Sequence, residues 1–210
     1  VRQALPAALP LAERFGAIRA PVALTIHPTH ASLEAAAGRS GYGWLRAWAR
    51  SDSIALQSIR TWSTGEITDD ELHTLLVHEL THCAMYQAIG AQGGRRIPIW
   101  FREGMAAFTS GERFAPPRGG PVGPATYRDD APRVYVHAER AFRTLVEWTG
   151  DAPIRRVLTL LRDGAPFAEA FRAAVGIEVE EFDGDIALAE APPPPPFVPI
   201  ARASAQVPQR

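Results

Sequence analysis

The chain holds 210 residues, 46% hydrophobic and 21% charged, enough for one ordinary domain with a core of its own. Lys plus Arg is 22 and Asp plus Glu is 23, a formal net charge of -1, which gives no support to broad electrostatic capture of nucleic acid. No apolar run approaches the ~20 residues of a spanning helix, and the single cysteine, Cys83, excludes an internal disulfide and any cysteine-rich zinc ribbon.

Residues 10–16 suit a short helix ending near Gly16. Pro21 to His27 is rich in β-branched residues and predicts a strand. Residues 30–37 predict a helix, with Thr29 as its cap and Gly38 as its stop. Ser53 to Ser58 alternates apolar and polar residues over part of its length and predicts a half-exposed strand. Thr68 and Glu71 form a capping box, and Leu72, Leu75, Leu76 and Leu80 then recur at helical steps until Gly90. Pro98 suits the first turn of a second helix, about 98–109, stopped by Gly111.

The stretch 115–124, APPRGGPVGP, reads as a surface loop. Helices are then expected at about 132–149, 152–163 and 166–175, each with a glycine beyond it. A weaker one over 177–189 is interrupted at Gly184. Residues 191–199 read APPPPPFVP, and the run Pro192 to Pro196 favours polyproline II over a packed core. The organisation expected is a helix-rich α+β domain over 1–189, with two or three strands near its start, and a proline-rich tail over 190–210. The tail is a spacer or a docking ligand for a proline-recognising partner. The sequence does not fix a location; the start at Val1 rather than Met and the proline-rich tail set only an expectation of an extracytoplasmic or envelope protein.

Chemistry concentrates in the helix after Thr68. Residues 78–82 read HELTH. Positions i and i+4 share a helix face, so His78 and His82 can present imidazole nitrogens to one metal ion. Glu79 stands beside that face, where a carboxylate can act as general base on a water. The competing reading is two satisfied histidines on a polar face. Catalytic zinc takes three protein ligands, and a third candidate lies in PIWFREGMAAF, residues 98–108. Glu103 sits there among Trp100, Phe101, Met105 and Phe108, where an unpaired carboxylate is costly to bury. A metal would compensate it; so would Arg102. Gly104 suits close packing of the two helices around the metal.

HExxH followed by Trp100, Glu103, Gly104 and Ala106 resembles the gluzincin metallopeptidases, and within them the small peptidase MA-like domain with its WxxEGxA motif. The likeness covers about residues 20–185, and twenty residues separate His82 from Glu103, with a turn near Gly90, Gly93 and Gly94 to absorb the length. The resemblance implies a zincin-like fold with a small N-terminal sheet above the zinc-binding helix. It implies Zn2+ held by His78, His82 and Glu103, with Glu79 as the base for attack of activated water on a peptide carbonyl. It places a tyrosine early in the helix after the Glu helix, which makes Tyr135 the first candidate for oxyanion donor. His137 is the second, and a core aromatic is the competing reading of Tyr135. In similar peptidases an edge strand above the zinc helix pairs with extended substrate, and Ser53 to Ser58 is the strand expected to do so.

Three departures sharpen the reading. There is no GxMEN motif, which disfavours a large aminopeptidase. Ala107 stands four residues after Glu103, where thermolysin-like chains carry an acid that orients a ligand. No third histidine follows at metzincin spacing. The expectation is a zinc-dependent peptidase, an endopeptidase on peptide or protein substrates, with neither nucleic acid nor a membrane span involved. Two alternatives keep the metal: a zinc-stabilised peptide-binding module without turnover, and a non-peptidase metallohydrolase.

Overall fold

A computed structural model describes residues 1–62, 68–90, 97–112 and 131–182. Along the chain run α1 (Leu5–Ala12), β1 (Ala23–His27), α2 (His30–Ala37), β2 (Ala47–Ala49) and β3 (Ser53–Gln57). Then come α3 (Asp69–Ile89), α4 (Ile99–Ser110), α5 (Ala131–Thr149), α6 (Asp151–Arg162) and α7 (Phe167–Val175). The class is helix-rich α+β.

The capping chemistry sets the helix ends. Glu71 N–H donates to Thr68 Oγ1 at 3.1 Å and Thr68 N–H donates back to Glu71 Oε2 at 2.9 Å, fixing the start of α3. Thr29 and Ser32 form the same reciprocal pair at α2, which ends on Gly38 in the left-handed region, φ 67°. The first helix departs from expectation. It occupies Leu5–Ala12 because Pro6 pre-sets its first turn, and Pro10 lies within the helix instead of opening it. Arg14 and Phe15 then leave it, Phe15 for the core and Arg14 for an ion pair with Asp151 at 2.9 Å.

The sheet has the order β1-β3-β2, with β1 parallel and β2 antiparallel to β3. Both edges of β3 are therefore taken. This corrects the expectation that Ser53 to Ser58 pairs with substrate: the strand next to the site is β2, a three-residue edge with no usable pattern of its own. One face of the sheet, through Ala47, Ala49, Ile54 and Leu56, packs on Leu72, Leu76, Leu80 and Cys83 of α3. The other carries Trp48 and Ala55 against Leu33 and Ala37 of α2. On the far side of α3, the helical core gathers Met85, Phe101, Met105, Phe142, Leu145 and Phe171.

From Leu76 to Met85 every residue of α3 is buried, because the sheet covers one side and α4 the other. That is why the helix carries no clean polar stripe. Gly104 sets a second contact. A Cβ there would run into the carbonyl of Ala138 and lie 2.7 Å from Phe142 Cβ. The close approach is thus between α4 and α5, not between the two helices that share the candidate metal ligands. The helix expected over 177–189 is described only to Phe182, which is buried. Its continuation past Gly184, the 115–124 loop, the turn at Gly93 and Gly94, and the 190–210 tail lie outside the described residues. No helix among the described residues is long and apolar enough to cross a membrane.

Two outcomes test this packing. Gly104→Ala is expected to lower unfolding free energy in urea by about 3 kcal/mol, because the Ala138 carbonyl and the Phe142 β-carbon both block the methyl; an unchanged midpoint would contradict the α4–α5 contact. The Cys83 thiol is wholly buried, and burial pushes it up to about 12. Ellman's reagent should therefore miss it in the native protein and titrate it fully in denaturant. Fast labelling of the native protein would show that α3 does not seat on the sheet as described.

Candidate metal centre and active site

His78 and His82 project from one face of α3, and Glu103 meets them from the first half of α4. All three are buried, with relative exposures of 5%, 7% and 3%. His78 Nε2 lies 3.6 Å and His82 Nε2 3.3 Å from the same Glu103 oxygen, Oε2. Metal–ligand bonds of 2.0–2.1 Å at the tetrahedral angle place ligand atoms ~3.3–3.4 Å apart. The donor set therefore has the type and the spacing that a small tetrahedral ion requires, and the three could hold a metal ion.

Each ligand is held differently. Arg102 Nε donates to the other Glu103 oxygen, Oε1, at 2.9 Å. Of the two readings of Glu103 from sequence, the arginine partner is found on Oε1, while Oε2 faces the two histidines with which it could hold a metal. Glu112 Oε2 lies 2.7 Å from His78 Nδ1 and also accepts from Ser110 Oγ at 3.2 Å. A proton on Nδ1 leaves the lone pair on Nε2, facing Glu103. His82 is fixed by packing: its ring stacks on Tyr86 with centroids 5.9 Å apart and planes 14° apart. Its Nδ1 is buried with no hydrogen-bond partner among the described residues.

Glu112 is the residue that sequence reasoning missed. The orienting acid was sought four positions after Glu103, on the helix. It comes nine positions after, just beyond Gly111, whose left-handed φ of 75° ends α4 and turns the chain back toward His78. The available signal was an acid directly after a helix-terminating glycine. Tyr86, four residues after His82 on the same face, was also legible.

The electrostatics follow from crowding three carboxyls, Glu79, Glu103 and Glu112, around two imidazoles in a dry place. Burial pushes the Glu79 carboxyl up to about 7; Glu103 and Glu112 push the same way, while His78 and the Ala49 N–H pull down. Burial also acts against Glu103, but His82, His78 and Arg102 outweigh it and hold its pKa well below the usual range. Burial alone would lower His78, yet Glu112, Glu103 and Glu79 raise it well above its ordinary value. For His82 burial wins and its pKa is lowered, which favours the neutral imidazole that a metal needs. The carboxylates thus draw positive charge toward His78, as buried carboxylates require a partner.

His78, Glu79, His82, Arg102 and Glu103 line one cavity of about 510 Å³. Glu79 opens into it, as does Tyr135 of α5, whose ring centroid is 6.0 Å from those of both His78 and Trp44. His137 is not among the lining residues, since a step of two turns it away on a helix. His73 does not line the cavity either, and His30 is engaged with Gln57, Nδ1 to Oε1 at 3.1 Å. The other wall is the β2 edge. Arg50 N–H donates to Ser53 O at 2.8 Å, and Gln57 N–H donates to Arg46 O at 2.9 Å. Antiparallel alternation then turns the backbone of Ala47 and Ala49 away from β3, and the Ala49 N–H meets the Glu79 carboxyl. Set against protein-family models, curated proteins and solved structures, the chain matches none of them.

If Glu112 orients His78, Glu112→Gln is expected to weaken divalent-metal binding about 10–100-fold with the fold intact. His82→Ala should abolish stoichiometric binding. Equilibrium dialysis with elemental analysis checks both, and wild-type affinity in either variant would break the assignment.

Proposed function

We propose that the protein is a zinc-dependent peptidase, acting as an endopeptidase on extended chains. The observation that carries this reading is the convergence of His78 Nε2 and His82 Nε2 on one Glu103 oxygen, with the Glu79 carboxyl and Tyr135 in the same cavity. Three N/O donors on two helices leave a position open, which is the pattern of a catalytic rather than a structural site. With one cysteine, itself buried against the sheet, a closed thiolate site is ruled out. The small sheet lying on the metal helix, and the tyrosine reaching the site from the following helix, support the zincin-like expectation from the HExxH and WxxEGxA resemblance.

His78, His82 and Glu103 would hold the ion. Bound there, zinc supplies a Lewis acid that lowers the pKa of water and polarises a carbonyl. Glu79 accepts the proton of the attacking water as the C–O bond forms, and then gives that proton to the amine nitrogen so that the C–N bond breaks. Burial raises this carboxyl toward neutrality, and His78 and the Ala49 N–H pull it back toward the carboxylate that a base must be. The Ala49 N–H steadies that carboxylate and ties the base to the substrate strand. Tyr135 is the donor for the oxygen on which charge develops, ahead of His137. The outward backbone of Ala47 and the outward carbonyl of Ala49 give an extended peptide an edge to pair with, the role first expected of Ser53 to Ser58. The intact Glu79 weighs against a peptide-binding module without turnover.

Digestion of an unfolded protein by the zinc-loaded chain tests the reading. Glu79→Gln should keep its zinc and lose about 10²–10⁴-fold in kcat. Tyr135→Phe should lose about 10²-fold in kcat with little change in KM. Chelator-insensitive cleavage, or full turnover by Glu79→Gln, would overturn it.

A further inference from the structure

The cavity wall opposite the metal helix carries charge that the chemistry above does not use. Three arginines line the cavity, Arg39, Arg50 and Arg102. Arg102 is committed to Glu103. Arg39 and Arg50 have no carboxylate within ion-pair distance among the described residues, although Asp52 lies two positions from Arg50 on the same wall. Both are nevertheless held in place. The Arg39 guanidinium carbon lies over the ring of Trp48 at 5.0 Å and over Tyr42 at 5.8 Å. Arg50 Nη2 donates to the carbonyl of Ala36 at 3.2 Å. A guanidinium stacked on rings keeps its in-plane N–H donors for an acceptor and loses little freedom on binding one.

Their place in the sheet matters as much as their charge. Ala47 and Ala49 face α3, so the alternation of β2 puts Arg46, Trp48 and Arg50 on the opposite face, toward α2. Arg39 reaches the same face from just beyond the end of α2. A peptide paired along the open edge of β2 points every second side chain to that face.

We infer that Arg39 and Arg50 form a carboxylate-binding subsite beside the metal centre, so that the preferred substrates are extended peptides bearing an acidic group on the α2 side. This rests on reading the cavity as a peptide-binding cleft. The carboxylate belongs to an Asp or Glu side chain or to the peptide's C-terminus, and the two are separated by experiment.

The test is binding, measured by fluorescence anisotropy on the zinc-loaded Glu79→Gln chain with two pairs of labelled peptides. One pair differs only by Glu or Gln at a central position, the other only by a free or amidated C-terminus. In one pair the acidic member should bind about tenfold tighter than its neutral twin. High salt should shrink the difference, and the Arg39→Gln/Arg50→Gln double variant should erase it. A second variant, Arg39→Glu, should shift the central-position preference toward a Lys peptide. Equal binding within both pairs, or a preference that survives the double variant, overturns the inference. Cleavage by the wild-type chain is scored separately. A preference in binding without any cleavage sinks the peptidase reading and leaves the subsite standing. Cleavage without preference does the reverse.

Discussion

Everything in this protein is arranged around the burial of three ionisable side chains within five residues of one helix. Residues 76–85 of α3 lie between the sheet and α4, so His78, Glu79 and His82 are removed from water together. Ionised groups in such a place cost several kcal/mol each unless they find partners. The partners come from distant parts of the chain: Glu103 and Arg102 from α4, Glu112 from beyond its end, and Ala49 N–H from β2. No single one suffices. The carboxyls outnumber the fixed cations, and Glu112, Glu103 and Glu79 together raise the pKa of His78 well above its ordinary value against the pull of burial. A bound cation resolves the same imbalance with greater charge, which is the physical reason to read the cluster as a metal centre rather than an ion-pair network.

The second constraint is steric. Glu103 is followed by Gly104, and the absence of a side chain there lets α5 approach the backbone of α4. Tyr135, Ala138 and Phe142 stand at i, i+3 and i+7 on α5, so they share one face. Ala138 and Phe142 make the close contact with Gly104, and the same face carries Tyr135 toward His78 and Trp44. The glycine is therefore tied to the position of Tyr135 as well as to packing. Glu103 and Gly104 are adjacent, so the turn of α4 that carries the candidate ligand is also the turn that α5 approaches.

Much of this was legible in the residues, and for local reasons. The helix ends at Thr68, Gly38 and Gly111 follow from capping chemistry and left-handed glycines, which act over four residues. The triad was legible because i,i+4 spacing fixes two of its members. What escaped was non-local. Three residues, Ala47 to Ala49, carry too little alternation to declare a strand, and nothing local assigns the central place in the sheet to β3 instead of β2. Glu112 escaped because it acts across a turn, on a histidine 34 residues earlier, at a spacing no periodicity marks. The first helix escaped by a few residues because two prolines, Pro6 and Pro10, each suit a helix start and only packing chooses between them.

Moving the open edge from β3 to β2 changes the chemistry of the cleft as well as its outline. Had β3 been the edge, its neighbours on the α2 face would have been Ser53, Ala55 and Gln57, a neutral surface. With β2 there instead, the face carries Trp48 and Arg50, and Arg39 stacks on that tryptophan. The same short strand also steadies Glu79 through Ala49. The open edge, the surroundings of Glu79 and the charge on the α2 face are therefore set by one segment of three residues and its flanks. A substitution at Trp48 would disturb the guanidinium above it, while one at Ala47 or Ala49 would disturb the seating on α3. Along this strand Trp48 faces α2 and Ala47 and Ala49 face α3, because a strand alternates its faces.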